Sequence, residues 1–279
     1  MFADFTLPIL ITVFAWWFST GAILWLVRRP RATYGLSLVA GGVIAVVASA
    51  GVVIGASDTS AFGAYTAFIC ALCIWGWHEA SFLMGAVSGP RPAPCPDGAV
   101  GWRRFKYATL TLIHHEIALA ITAAAIVVVT WGQPNQIATL TFLVLLAMRL
   151  SAKLNIFLGV PNLTDEFFPA HLEHLKSYLP KRAMNALFPF SVAGGALLCA
   201  AFLENARDAS QGSGEAVGFT LLFAITALAL IEHAFMILPL PDAALWRWAA
   251  PARASSVIVA IPPDPHATND RPIATATNE

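Results

Sequence analysis

Residues 62–86 read FGAYTAFICALCIWGWHEASFLMGA, and Glu79 is the only Asp, Glu, Lys or Arg in this stretch. An apolar helix of about 20 residues is long enough to cross the hydrocarbon core of a bilayer. The stretch therefore predicts a membrane-spanning helix. The pair His78-Glu79 lies inside it, where a charged side chain costs about 2.5–3.5 kcal/mol on the insertion scale.

The composition of the whole chain is that of an integral membrane protein. Of its 279 residues, 58% are hydrophobic and 11% are charged, and the mean hydropathy is +0.70, whereas a soluble domain has about 25% charged residues. The formal net charge is zero and no basic tract occurs, so nothing indicates a nucleic-acid partner. Residues 1–6 lack a basic region and a small-residue cleavage site, which predicts an anchor rather than a cleaved signal.

Seven segments are apolar enough to span a membrane. They are 6–27, 35–57, 62–86, 107–131, 137–158, 188–204 and 217–240. Lysine and arginine collect on the cytoplasmic side, and all of the 16 Lys and Arg residues except Arg207 fall on one side of this arrangement. We therefore expect an all-α polytopic bundle with a periplasmic N-terminus and a cytoplasmic C-terminus. Residues 1–249 should form one membrane domain, and 250–279 a disordered cytoplasmic tail.

Three histidine–glutamate pairs recur at one predicted depth. The pairs are His78-Glu79, His115-Glu116 and Glu232-His233. Each histidine lies seven or eight residues from the cytoplasmic end of its span, which places it roughly 10–12 Å inside the boundary. Since adjacent residues differ by about 100° around a helix, His114 and His115 point to different sides, and we expect His115 to face the cluster.

The loop between spans five and six predicts an interfacial helix. Thr164-Asp165-Glu166 has the N-cap hydroxyl and the first-turn acids of a helix start. Beyond it, His171, His174 and Tyr178 share one face at α-helical spacing, next to a face of leucines. With its leucines buried at the membrane surface, this helix would turn its histidines toward the bundle and close the cluster from the cytoplasmic side.

Such a cluster suits one or two metal ions. Imidazole and carboxylate ligands favour iron, zinc or manganese over metals that prefer thiolates. Paired metals in helical bundles use ligands that project inward from facing helices. The predicted ligands are His78, Glu79, His115, Glu116, Glu166, His171, His174, Glu232 and His233. No span contains a Glu-x-x-His spacing.

A structural polar network is the alternative to a metal centre. Arg149 and Lys153, one helical turn apart near the end of span five, are placed to pair with Glu79, Glu116 or Glu232. Either cation taken alone is more readily interpreted as a side chain that snorkels to the interface. A cation between the acids would favour the network, and His and Glu at ligand distance would favour the metal. Proton transfer and a single pigment ligand are further possibilities.

Other polar residues in the spans have simpler interpretations. Asn155 and Asn162 flank an irregular segment at Gly159 and Pro161, and we expect them to line the site or form a turn. Cys70 and the cysteine three residues later lack the further ligands that a zinc site needs, so they are interpreted as packing residues. The tryptophans mostly lie at span ends and are interpreted as interface anchors.

Several motifs resemble, in the same order, the PuhE-like family. They are Trp77-His78-Glu79 with Ser81-Phe82-Leu83, Gly89-Pro90-Arg91, His115-Glu116, Met148-Arg149 through Asn162, and Asn185-Ala186-Leu187-Phe188-Pro189. The family comprises photosynthetic complex assembly proteins encoded in photosynthesis gene clusters of purple bacteria. The resemblance implies a multi-pass protein of the bacterial inner membrane that supports assembly of the reaction centre or supply of its bacteriochlorophyll. Photosynthetic membrane proteins, bacteriochlorophyll and membrane lipid are the partners it implies.

Two other functions remain open at this point. A membrane-embedded di-metal oxidoreductase would hold iron in the cluster and admit an apolar pigment or lipid from the bilayer, and it would need an open coordination position. A bacteriochlorophyll carrier would use a transmembrane histidine as an axial ligand. The acids argue against the carrier, because a flat apolar macrocycle requires apolar walls.

Overall fold

The computed structural model describes residues 5–163, 169–239 and 242–249, and within these ranges it is helical, with no strand beyond an isolated bridge between Val160 and Lys181. The α-helices are α1 (Leu7–Val27), α2 (Tyr34–Gly55), α3 (Ala61–Leu83), α4 (Gly101–Leu110), α5 (Ile113–Val129), α6 (Ile137–Leu158), α7 (Phe188–Asp208) and α8 (Gly214–Phe235). Short 3-10 helices occupy Arg31–Thr33, Ala170–Tyr178 and Asp242–Trp246. The predicted tail 250–279 and the predicted helix start at Thr164-Asp165-Glu166 lie outside the described residues.

The helices have the dimensions of a multi-pass membrane protein. Six of the described helices, α1, α2, α3, α6, α7 and α8, are long and apolar enough to cross a bilayer. Helices α4 and α5 meet at 70° and make a seventh span if they are taken together. This agrees with the predicted number of about seven, and the orientation of the termini stays a prediction.

Helices α3, α6 and α8 form the centre of the bundle, where they contact one another. Of the residues in the apolar 18-residue stretch of each helix, 56% are buried in α8 but only 17% in α1, α2 and α7. Phe68, Phe142 and Leu221 are fully buried between the central helices, whereas Leu36 and Ile54 on α2 are 76% and 79% exposed. Large apolar side chains exposed along a whole helix are expected where the solvent is lipid.

The predicted fourth span, 107–131, is not a continuous helix. Helix α4 ends at Leu110 and α5 begins at Ile113, with Leu112 between them at φ −138° and ψ 2°, outside the helical region. The prediction of one helix was wrong at this point. Residues 108–116 contain no glycine or proline, the residues that usually mark such a break in the local sequence.

The loop after α3 stabilises the break. The His115 N–H donates to the Ser88 carbonyl at 3.1 Å, and the Arg91 N–H donates to the Leu110 carbonyl at 3.2 Å. These bonds supply partners to backbone N–H and C=O groups that have none within an interrupted helix. Gly89 permits the close approach, since a Cβ at this position would lie 2.2 Å from the Leu110 carbonyl oxygen. The break therefore results from contacts between segments distant in sequence.

The described part of the connection between α6 and α7 contains the 3-10 helix Ala170–Tyr178 where an α-helix was predicted. With three residues per turn, His171 and His174 remain on one side, but Tyr178 is rotated away by about 120°. The prediction that Tyr178 shares a face with His171 and His174 was therefore wrong. That side chain is 2% exposed, and its hydroxyl donates to the Ala93 carbonyl at 3.0 Å.

Two leucines attach this 3-10 helix to the bundle. Leu172 and Leu175 are 2% and 8% exposed and pack with Phe82 of α3. Residues three apart eclipse one another in a 3-10 helix, so both leucines point inward. The predicted burial of the leucines is confirmed, while the position of this segment at a membrane surface stays a prediction.

Candidate functional site: a buried ion-pair cluster

Two glutamate–cation pairs form the centre of the site. Arg149 Nη2 lies 3.2 Å from Glu79 Oε2, and Lys153 Nζ lies 2.6 Å from Glu116 Oε1. Helix α6 places its two cations one turn apart on one face, while the acids come from α3 and α5. The pairs therefore connect three helices inside the bundle, where an unpaired charge would be costly.

The acids of the cluster are less exposed than Arg149. The side chains of Glu79, Glu116 and Lys153 are 10%, 19% and 20% exposed, whereas that of Arg149 is 43% exposed. Arg149 lines a cavity within the bundle. Arg149 is therefore the most accessible charged side chain of the two pairs.

His115 faces the cluster. It is 1% exposed, and the neighbouring His114 is exposed. His115 Nε2 lies 3.8 Å from Glu79 Oε1, which is too far for a hydrogen bond. Neither ring nitrogen nor Glu79 Oε1 has a hydrogen-bond partner among the described residues. A buried imidazole and a carboxylate oxygen thus face each other across this gap, with the Phe82 ring 4.8 Å from the imidazole centroid.

The other two histidines of the spans contact hydroxyl groups. His78 Nε2 lies 2.9 Å from Thr122 Oγ1 and connects α3 to α5. His233 Nδ1 lies 2.8 Å from the Ala229 carbonyl, and its Nε2 lies 3.0 Å from Ser151 Oγ. Because a carbonyl only accepts, Nδ1 carries the proton and Nε2 accepts from the serine. These contacts give both histidines a structural role.

Glu232 has a tryptophan as its partner. The Trp16 indole N–H donates to Glu232 Oε1 at 2.7 Å, and Arg149 is close enough to interact with Glu232 electrostatically. Interpreting the tryptophans as interface anchors misses this contact. A position in the middle of an apolar span would be the available signal, since an interfacial anchor belongs at a span end.

The two asparagines predicted to line the site differ in role. Asn155 is fully buried, and its Nδ2 donates to Ser191 Oγ at 2.8 Å while its backbone carbonyl accepts from Asn185 Nδ2 at 3.1 Å. The bond to Ser191 connects α6 to α7, and the bond from Asn185 connects α6 to the segment before α7. Asn162 donates its backbone N–H to the Met236 carbonyl at 3.1 Å and lines the cavity.

The structure places the loop histidines against the turn that follows α3. A Cβ added at Gly85 would lie 3.1 Å from His171 Nε2, and His174 Nδ1 donates to the His171 carbonyl at 3.1 Å. Burial, together with the positive charge of Arg31, lowers the pKa of His171 below its ordinary value of 6.5. Burial and Arg91 likewise lower the pKa of His174. Both rings are therefore neutral at pH 7.

The geometry favours the ion-pair network over a metal centre. Among residues 5–163, 169–239 and 242–249, no three His, Cys, Asp or Glu side chains are grouped so that they could hold a metal ion. Of the predicted ligands, Glu79 and Glu116 have cations as partners, and Glu166 lies outside the described residues. Binding of iron, zinc or manganese stays a prediction.

Comparison with known proteins places the chain in a family. Residues 2–257 match the family model described as "Protein of unknown function (DUF3623)". An uncharacterized 30.4 kDa protein in the puhA 5' region of Rhodobacter capsulatus is 44% identical over 253 residues, which are 87% of this chain and 90% of that protein. No solved structure matches the chain. The relative confirms the resemblance to the PuhE-like family, and the chain belongs to the DUF3623 family.

Proposed function

We propose that the protein is an integral factor of the bacterial inner membrane that supports assembly of the photosynthetic reaction centre or the supply of its bacteriochlorophyll. The observation that supports this proposal is the 44% identity, over 87% of the chain, to the protein in the puhA 5' region of Rhodobacter capsulatus. That location agrees with the photosynthesis gene clusters of the family that the sequence motifs resemble.

In this proposal the ion-pair cluster maintains the shape of the membrane domain. The Arg149–Glu79 and Lys153–Glu116 contacts fix α3, α5 and α6 relative to one another. Partner membrane proteins would then dock against lipid-facing helices, where side chains such as Leu36 and Ile54 are largely exposed. The cluster acts indirectly, because it determines the positions of the helices that present those surfaces.

Deletion of the gene in a phototrophic bacterium that carries it tests the proposal. We expect less assembled reaction centre in isolated membranes, measured by photobleaching, and restoration by the wild-type gene. Parallel solvent extraction of pigment separates the two roles. Normal total bacteriochlorophyll with little reaction centre indicates an assembly role, and a matching loss of pigment indicates a supply role. Full phototrophic growth of the deletion strain would refute both.

A second pair of strains tests the ion-pair cluster itself. Lys153→Met removes the cation that pairs with Glu116, whose side chain is 19% exposed. This variant should reduce reaction-centre content while the protein remains inserted in the membrane. Arg103→Met, at an exposed position of α4, is the matched control and should behave as wild type. Equal reaction-centre content in the two strains would show that the cluster has no functional role.

The metalloenzyme and pigment-carrier alternatives have direct assays. For a metal centre, Glu79 and Glu116 would have to exchange their cations for a metal ion. Inductively coupled plasma mass spectrometry of the detergent-purified protein, beside a His78→Ala/His115→Ala variant, measures iron, zinc and manganese. One or two equivalents lost in the variant would favour the enzyme. Bacteriochlorophyll absorbance of the same sample would favour the carrier.

A further inference from the structure

A partly open cavity of about 500 Å³ lies between the helices of the bundle, within the usual size range of small-molecule sites. Helices α1, α3, α6 and α8 each turn one face toward it, and the 3-10 helix Ala170–Tyr178 contributes to one end. On α6 the lining extends from Val144 to Phe157, which is about 20 Å along the helix axis. The space is therefore long enough for an extended molecule.

The walls of this cavity are mostly apolar, with one charged band. Side chains such as Trp75 and Ile225 line it on the side toward the middle of the helices. The acids, cations and histidine in its lining are Glu79, Arg149, Lys153, Glu232 and His233. Apolar walls with a few converging polar groups are typical of ligand sites. A ligand would place its apolar body along the walls and its polar group at the band.

The band offers hydrogen-bond donors to a ligand. The Arg149 side chain is 43% exposed, against 10% for Glu79. A guanidinium has five N–H donors, and the hydrogen bond to Glu79 Oε2 uses one of them. At membrane depth, polar groups need partners within the protein or a ligand, because no bulk water is available. The ligand group at this point should therefore accept hydrogen bonds.

The charge balance of the band excludes an anionic acceptor. Arg149 and Lys153 are each already paired with a glutamate, and Glu232 lies near Arg149 as a third acid. With Glu116, the partner of Lys153, counted beside Glu79 and Glu232, three acids face two cations. A carboxylate or phosphate would add further negative charge there, and like charges in a low-dielectric site repel strongly. The fitting acceptor is uncharged, and a carbonyl oxygen is the simplest such group.

We propose that this cavity binds a neutral amphiphile whose apolar body lies along α1, α3, α6 and α8 and whose carbonyl oxygen accepts a hydrogen bond from Arg149. Two kinds of membrane molecule share this chemistry, a quinone with an apolar tail and the ester group of an acylglycerol. The proposal is independent of the photosynthetic role, since it depends on the geometry and charge of the cavity alone.

Gly76 offers a way to fill the cavity without disturbing its walls. It lines the cavity, and a Cβ at this position would meet only the Ile23 Cδ1 atom, at 3.7 Å, an ordinary contact. Gly76→Leu should therefore project its side chain into the space. Gly194→Leu on α7 is the matched control, because a Cβ there would meet nothing within 4 Å.

A second variant tests the polar contact. Arg149→Lys keeps a positive charge beside Glu79 but replaces the planar guanidinium by a compact ammonium with fewer donors. The two variants act on different parts of the proposed ligand. Gly76→Leu occupies the space for its apolar body, and Arg149→Lys weakens the hydrogen bond to its carbonyl oxygen.

The experiment measures ligand-dependent thermal stabilisation of the full-length protein in lipid nanodiscs. The probes are decylubiquinone, dioctanoylglycerol and dodecylbenzene, which lacks an oxygen acceptor. We expect a carbonyl probe to stabilise the wild type and the Gly194→Leu variant. Binding should be weaker by about tenfold in Arg149→Lys, the usual effect of losing a hydrogen bond to a charged group, and by at least as much in Gly76→Leu.

The outcomes separate the sources of the ligand and can overturn the proposal. Stabilisation by decylubiquinone alone identifies a quinone site, and stabilisation by dioctanoylglycerol alone identifies a lipid ester site. The proposal fails if neither carbonyl probe binds the wild type, if dodecylbenzene binds equally well, or if Gly76→Leu binds as tightly as Gly194→Leu. If Gly76→Leu does not fold, unchanged binding by Arg149→Lys would still refute the hydrogen bond.

Discussion

Removing the charge of Arg149 tests whether the ion pairs hold the membrane domain together. In Arg149→Met, Glu79 would lose a partner at 3.2 Å while its own side chain is only 10% exposed. Loss of one partner of a buried pair costs about 3–5 kcal/mol, because the remaining charge is uncompensated. Since the Arg149 side chain is 43% exposed to the cavity, we expect a loss at the lower end of that range.

A double variant separates the effect of the unpaired Glu79 carboxylate from the effect of losing the packing of the arginine side chain. In Arg149→Met/Glu79→Gln the carboxylate is replaced by a neutral amide, so the variant should be more stable than Arg149→Met alone, with a coupling energy of about 1–3 kcal/mol. Arg103→Met, at an exposed position, should change the free energy of unfolding by less than about 0.5 kcal/mol.

The assay is sodium dodecyl sulfate titration in mixed micelles, followed by circular dichroism, for the wild type, both single variants, the double variant and Arg103→Met. It yields the free energy of unfolding for each protein under one set of conditions. Additive effects of Arg149→Met and Glu79→Gln would refute the reasoning, because they would show that the two side chains do not stabilise each other.

Three further predictions concern the loops and the topology. Gly89→Ala should destabilise the protein by about 1–3 kcal/mol in the same titration, because its Cβ would meet backbone, whereas Gly35→Ala, with nothing within 4 Å, should not. Because folding lowers the pKa of His171 and of His174, the unfolded segment binds more protons below about pH 6.5, and its stability should fall from about pH 8 to about pH 5. Hydrogen exchange of 170–178, corrected for intrinsic rates, would measure this fall, and a His171→Gln/His174→Gln variant should lack it. Alkaline phosphatase fused within the loop 209–213 should be active if that loop is periplasmic, and a C-terminal fusion should be inactive.

The spans were predictable because their length and apolar composition are local properties. The segment predicted at 137–158 is α6 (Ile137–Leu158), and that predicted at 35–57 is α2 (Tyr34–Gly55). The break after Leu110 was not predictable, because Ser88 and Arg91 supply its hydrogen bonds from another segment. A span is recognised from its own residues, but a break of this kind depends on its neighbours.

The ion-pair cluster was predictable in part. Pairing of Arg149 and Lys153 with acids from other spans was the predicted alternative to a metal centre, and α6 does bring both cations to such acids. Which acid each cation contacts depends on helix rotation, which a single sequence does not define. The Trp16–Glu232 hydrogen bond was missed because the two residues are 216 positions apart in the sequence.

The interrupted fourth span has a consequence for the surrounding lipid. Helix α5 has 17 residues, a length of about 25 Å, and is therefore shorter than a hydrocarbon core of about 30 Å. Helix α4, inclined by 70° and with Trp102 and Lys106 exposed, is suited to lie along the interface. The acyl chains beside α5 must shorten or tilt to match it, and such mismatch costs a fraction of a kcal/mol per Å. The protein should therefore thin the bilayer on one side and prefer short-chain lipids there.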